Sequence, residues 1–200
     1  MYKVKLCALD ERLYEEWEKE FKDCDVKVIF GNILNQEADA IVSPGNSFGF
    51  MDGGLDYQLS EFFGWDLEKK LQENIRKKHE GELLVGMAEI LGTGNKKIPY
   101  IVCAPTMRVP MVIPASANPY LATRGVFLSI NNFNNRENDK IKSVLVPGMG
   151  TGIGKVPYDI CARQMRIAYE DVILGKFSFP KSYEEAQKLH VNLFKKSIKD

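Results

Sequence analysis

At 200 residues, with 44% hydrophobic and 27% charged residues, the chain has the make-up of one soluble globular domain. Its 27 Lys+Arg are matched by 27 Asp+Glu, so no net field recruits nucleic acid or an anionic membrane. No apolar run nears the roughly 20 residues that span a bilayer, and the opening segment MYKVKLCALDERLYEEW lacks the basic-then-apolar layout of a secretory signal.

Lys3 to Leu9 alternates as a strand does, and Asp10 then caps a charged helical stretch to about Asp23. Val26 to Phe30 and Ala40 to Val42 are short β-type runs, each followed by a loop rich in Gly or Asn. Leu55 to Phe63 and Trp65 to His79 carry helical spacing, broken at Gly64. Met87 to Leu91 and Ile98 to Ala104 read as strands, and the prolines at 105, 110, 114 and 119 make the next stretch a structured loop. A helix starts at Asn118 and ends near Asn132, before a polar tip; a strand at Ile141 to Val146 follows. Pro157 opens a helix to about Leu174, and a last helix covers Ser182 to Lys196. This alternation predicts one α/β domain over 1–200, a three-layer α/β/α sandwich with a mixed, mainly parallel central sheet. Cys7, Cys24, Cys103 and Cys161 form no CxxC pair and have no histidine nearby, so they read as buried free thiols of a cytoplasmic protein with no metal and no cofactor.

The segment LVPGMGTGIGKVPYD, Leu145 to Asp159, places a glycine at every second position from Gly148 to Gly154, between a strand and a helix. Glycine within an element costs about 0.5–1 kcal/mol relative to alanine. Such a run therefore marks a very sharp turn or a close approach by a ligand. Bare N–H groups beside a helix N-terminus suit phosphate oxygens. Neither familiar phosphate motif fits: Gly154-Lys155 is followed by Val156 where Walker A needs Ser or Thr, and after Gly150 and Gly152 the next glycine comes one residue too early for the dinucleotide pattern.

A second loop supplies the context. GNILNQEADAIVSPGNSFGFMDGGLD, Gly31 to Asp56, runs strand, GNI, strand, polar loop, and then Gly53-Gly54-Leu55-Asp56 into a helix. Together with GMGTGIG it resembles the macro domain family, whose members bind ADP-ribose and related nucleotides. The family pattern has GDI after a strand, then VNAANS, then GGGVD, and late in the chain SxGIxG. Here GNI (Gly31–Ile33), VSPGNS (Val42–Ser47), DGGLD (Asp52–Asp56) and TGIG (Thr151–Gly154) occur in that order across most of the chain.

The resemblance implies that Asn32, with Ile33 beside it, meets the adenine, and that Asn46 lies near the distal ribose. It implies that Gly53 and Gly54 let the chain wrap that ribose, and that Thr151, Gly152, Ile153 and Gly154, led in by Gly150, cradle the diphosphate. Asp56 matches an aspartate that positions or activates water at the anomeric carbon in hydrolytic members, a chemistry suited to an oxocarbenium-like transition state. The partner implied is ADP-ribose or a related nucleotide, free or attached to a protein. Three departures stand out: Asn32 replaces the aspartate of GDI, Ser43 replaces the first asparagine of VNAANS with Pro44-Gly45 for its two alanines, and Met51-Asp52 replaces small residues before GGLD.

Plainer readings stand beside these. Asp56 could only cap its helix, Asn46 only close an Asx turn, and Asn32 only shape a turn. Asp52 reads as a turn residue, and His79 and His190 as solvated surface residues. Phe48 and Phe50 line a cleft or fill core, and Trp17 and Trp65 are core. Arg108 either meets a phosphate or nothing. Asp56 favours an enzyme acting at the terminal ribose as its catalytic acid, together with Asn46; Ser43, taken as a further ligand contact, favours a reader without turnover.

Overall fold

In parallel β-structure, residues buried on both faces divide by parity, and that division builds the layers here. The computed structural model describes residues 2–138 and 140–195. Its strands are β1 (Lys3–Ala8), β2 (Val26–Phe30), β3 (Ala40–Ser43), β4 (Glu89–Gly92), β5 (Tyr100–Cys103) and β6 (Ser143–Val146). Between and after them come α1 (Glu11–Glu20), α2 (Gly54–Phe63), α3 (Asp66–Lys78), α4 (Asn118–Arg136), α5 (Tyr158–Val172) and α6 (Tyr183–Asn192). The sheet order is β2-β1-β6-β3-β5-β4, parallel throughout except that β4 pairs antiparallel with β5.

Even-numbered strand residues Val4, Leu6, Val42, Val102, Val144 and Val146 pack with Leu13 and Trp17 of α1, Val126 and Phe127 of α4, and Met165 of α5. Their odd-numbered neighbours Ile41, Ile101 and Leu145 pack with Leu59 of α2 and with Leu67, Leu71 and Ile75 of α3. Each such side chain contributes about 1.5–3 kcal/mol when fully buried. The result is the α/β/α sandwich with a mixed, mainly parallel sheet. No helix among the described residues is long and apolar enough to cross a membrane.

Several boundaries move for identifiable reasons. Helix α4 continues through the polar tip to Arg136, because Phe133 packs edge-on against Tyr100 and Asn134 exchanges two 2.8 Å hydrogen bonds with the backbone of Ile141. Strand β6 starts only at Ser143. The last helix ends at Asn192; its expected end at Lys196 lies outside the described residues. Trp65 is not core: it is 42% exposed, meets Tyr57 edge-on and donates to Glu61. Cys24 is half-buried, unlike the other three thiols. His79 is not a solvated residue either. Its Nε2 lies 3.1 Å from Glu89, which also accepts from Lys78 and Asn74, so the last turn of α3 is tied to the edge strand.

Candidate functional site

In such a sheet the loops at the carboxyl ends of parallel strands define the crevice for ligands. The turns after β1, β2, β3, β5 and β6 converge there on a cleft of about 410 Å³, a size that suits a nucleotide-scale ligand. Its walls include Ile33, Asn46, Gly53, Gly54 and Asp56 from the first loop region, and Gly150, Thr151, Gly152, Ile153 and Gly154 from the second. Two predicted residues do not line it. Asn32 caps a one-turn 3-10 helix, its Oδ1 accepting from the N–H of Leu34 at 2.9 Å. Ser43 lies beneath the cleft, 1% exposed, and works through Asp56.

The four glycines of the late loop answer to different demands. Gly150 has φ +74°, a left-handed backbone that other residues adopt only with strain. A Cβ on Gly148 would lie 2.5 Å from Thr151 Oγ1 and 2.6 Å from Leu13, and one on Gly154 would strike the carbonyl of Gly150. These three are needed by the loop itself, which folds back through Val156 N–H to Gly150 O and Ile113 N–H to Gly154 O. Gly152 is different: its φ is not positive, and a Cβ there would meet nothing within 4 Å. It faces the open cleft. Among the described residues, the N–H groups of Thr151, Gly152, Ile153 and Gly154 donate to no protein acceptor. They form an unfilled row of donors. Neither α5 behind this loop nor α2 across the cleft has a side-chain cap at its N-terminus, so both helix dipoles add positive potential.

Asp56 does not cap its helix. The cap position of α2 belongs to Gly53, and Asp56 sits in the first turn with its side chain turned inward, 8% exposed. Its Oδ1 accepts a 2.7 Å hydrogen bond from Ser43 Oγ. Oδ2 accepts from no described residue and lies so close to Gly45 that a Cβ there would be 2.7 Å away. The glycine at 45, where the resembling pattern has alanine, makes room for this carboxylate. Burial pushes the acid up to about 6, against a smaller lowering by the Ser43 hydroxyl. Asn46, in contrast, has its side chain taken up locally. Its Nδ2 donates to Phe50 O at 2.8 Å while its Oδ1 accepts from the N–H of Phe48 at 3.1 Å.

The family model for the macro domain matches residues 42–165. The chain belongs to the macro domain family. A relative in Aquifex aeolicus is 33% identical over 141 residues, covering 70% of this chain and 78% of that one. The macrodomain of Mycobacterium tuberculosis DarG superposes with a TM-score of 0.59 at 20% identity, over 70% of this chain and 87% of its own. An Oceanobacillus iheyensis macrodomain mutant with ADPR gives 0.61 at 16% identity, over 82% and 88%. These structural likenesses establish the fold.

Within this macro domain the cleft also takes residues that no motif announced. The end of β1 contributes Cys7, Ala8, Leu9 and Asp10, because the strand order sets β1 beside β6. Asp10 is held well below the usual carboxylate range by its bonds to Arg12 and then to the Tyr158 hydroxyl, a link that pins the start of α5 to the start of α1. Phe50, Asp52, Met107 and Pro110 complete the wall near Asp56. Phe48 instead lies under the guanidinium of Arg108, and Arg108 is engaged by Glu82 at 2.8 and 3.2 Å, away from any phosphate role.

Proposed function

We propose that the cleft binds ADP-ribose or an ADP-ribose derivative and that Asp56 activates water for cleavage of a bond at the terminal ribose. In this reading the diphosphate lies on the free N–H groups of Thr151 to Gly154, the base points toward Leu9, Gly31 and Ile33, and the terminal ribose reaches Asp56. Fixed donors to an ionised group give bonds roughly twice as strong as neutral ones. That the solved relative carries ADPR supports the ligand class. The observation that carries the enzymatic part is the carboxylate of Asp56: buried among the cleft-lining residues, held by Ser43 through one oxygen, with no described partner on the other, and raised to about 6. A base in that range can take a proton from water and still be largely ionised near neutral pH. Water adds hydroxide to the anomeric carbon, its proton ends on the departing group, and Asp56 carries it in between.

A reader without turnover is the second reading. Asn46 favours it, because its amide is spent on Phe48 and Phe50 and would need to reorient before touching a ribose. Titration calorimetry with ADP-ribose, AMP and NAD tests binding: ADP-ribose should bind more tightly than AMP, and equally weak responses to all three refute it. Turnover is tested on ADP-ribosylated protein, ADP-ribose 1″-phosphate and an acetylated ADP-ribose. Binding without release from any of the three removes the hydrolase and leaves the reader.

A further inference from the structure

We infer that the Asp56 end of the cleft selects against a negatively charged substituent on the terminal ribose, and that Asp52 is a specificity residue that sets this selection. The inference rests on the binding mode proposed above and adds the class of derivative that fits it: neutral acyl groups and cationic nitrogen-linked groups, not phosphate.

The charge of the wall carries the argument. Among the described residues the lining holds three carboxylates, Asp10, Asp52 and Asp56, and no Lys or Arg. A diphosphate can be met by the backbone donors of Thr151 to Gly154 and by the dipole of α5, which starts just behind that loop. A further phosphate on the terminal ribose would lie away from that loop, among Asp52, Asp56 and the apolar side chains of Phe50, Met107 and Pro110, where the N-terminus of α2 already has the Asp56 carboxylate in its first turn. The cation nearest in the chain to that wall, Arg108, is already paired with Glu82 and laid over Phe48.

Asp52 is held at this rim by its neighbour. Met51 is 1% exposed, its N–H donates to Glu68 at 2.6 Å, and its carbonyl accepts from Ser60 at 3.1 Å. Met51 is fixed inward, while Asp52 is exposed and lines the cleft beside Gly53. Asp52 has no hydrogen-bond or ion-pair partner among the described residues, so its charge acts on whatever occupies the cleft. A like charge built into a site is a means of rejecting the wrong ligand rather than of holding the right one.

The test is calorimetric titration of ADP-ribose and ADP-ribose 1″-phosphate into the unmodified protein, Asp52→Asn and Asp52→Lys, each at low and at high salt. The 1″-phosphate should bind about tenfold more weakly than ADP-ribose to the unmodified protein at low salt, and the ratio should narrow as salt screens it. Asp52→Asn should close the ratio severalfold and Asp52→Lys should reverse it. Equal affinities in the unmodified protein, or tighter binding of the phosphate, overturn the inference while leaving ADP-ribose binding intact. A ratio unchanged by both substitutions overturns the role of Asp52. Failure of both ligands to bind overturns this inference and the binding reading together.

Discussion

Replacing Asp56 by Asn should make the protein more stable above neutral pH while removing any turnover. The buried carboxyl is raised from the ordinary 3.8 to about 6. A raised folded value means that folding favours the protonated acid. That contribution is complete below about 3.8 and is lost as pH climbs through about 6. Once both states are ionised, holding the carboxylate inside destabilises the native state by the difference, about 3 kcal/mol at roughly 1.4 kcal/mol per pKa unit. Asparagine has the same shape, keeps an oxygen to accept from Ser43, and carries no charge. At about pH 8 the variant should therefore melt about 6–12 °C higher. By about pH 4.5 some 2 kcal/mol of that advantage should be gone. Paired thermal melts of both proteins across this range make the measurement. A variant that is no more stable at high pH, or whose gain does not change with pH, would show that Asp56 is not a desolvated carboxylate and would remove the basis for its role as a base.

Three further outcomes follow from the same geometry. Ser43→Ala takes away the hydroxyl that favours ionised Asp56. A hydrogen bond to a charged group contributes about 1.5–3 kcal/mol, so the acid limb of the pH–rate profile should move up by about one pH unit or more, and an unmoved limb would detach Ser43 from the chemistry. Gly152→Val should abolish ADP-ribose binding while the melting temperature stays nearly constant, whereas Gly154→Ala should lower the melting temperature because its Cβ would strike the Gly150 carbonyl; the reverse pattern would refute the division of labour among the glycines. Asn32→Asp should preserve the cap on Leu34 and leave the ratio of affinities for adenine and hypoxanthine nucleotides within about twofold, the scale of a fraction of one net hydrogen bond. A larger change would put this side chain against the base.

The layers of this fold were legible in the sequence because residue parity in a buried strand is a local signal. Val144, Leu145 and Val146 declare two buried faces without reference to any partner. The order of the strands is not local, and so the cleft residues from Cys7 to Asp10 carried no mark: they matter only because β1 lies next to β6. The glycine loop was conspicuous, but its pattern did not separate Gly150, needed for its φ, from Gly152, left open to the cleft. Asp56 stood out by its place in GGLD, while its inward turn depended on Gly45 and Ser43, whose departures from the family pattern looked like losses until they were seen against it. His79 was hidden in a charged run, since the Glu89 that buries it comes from another element. Short-range competition also won at Asn46 and Asn32, where an amide found backbone partners within a few residues.

The openness of Gly152 makes it a chemical handle. A Cβ added there would meet no protein atom within 4 Å, and the residue lines the cleft, so a single cysteine at this position could carry a small dye into the cleft. Of the four native thiols, three are buried, and only Cys24 is partly accessible. Labelling could therefore be confined to the new site after one conservative replacement at Cys24. Because that group fills the space proposed for the diphosphate, the labelled protein would be a blocked form that keeps its fold, the reference against which binding to the unlabelled protein is read. The least constrained glycine of the loop thus offers a place to stopper the cleft without disturbing the fold around it.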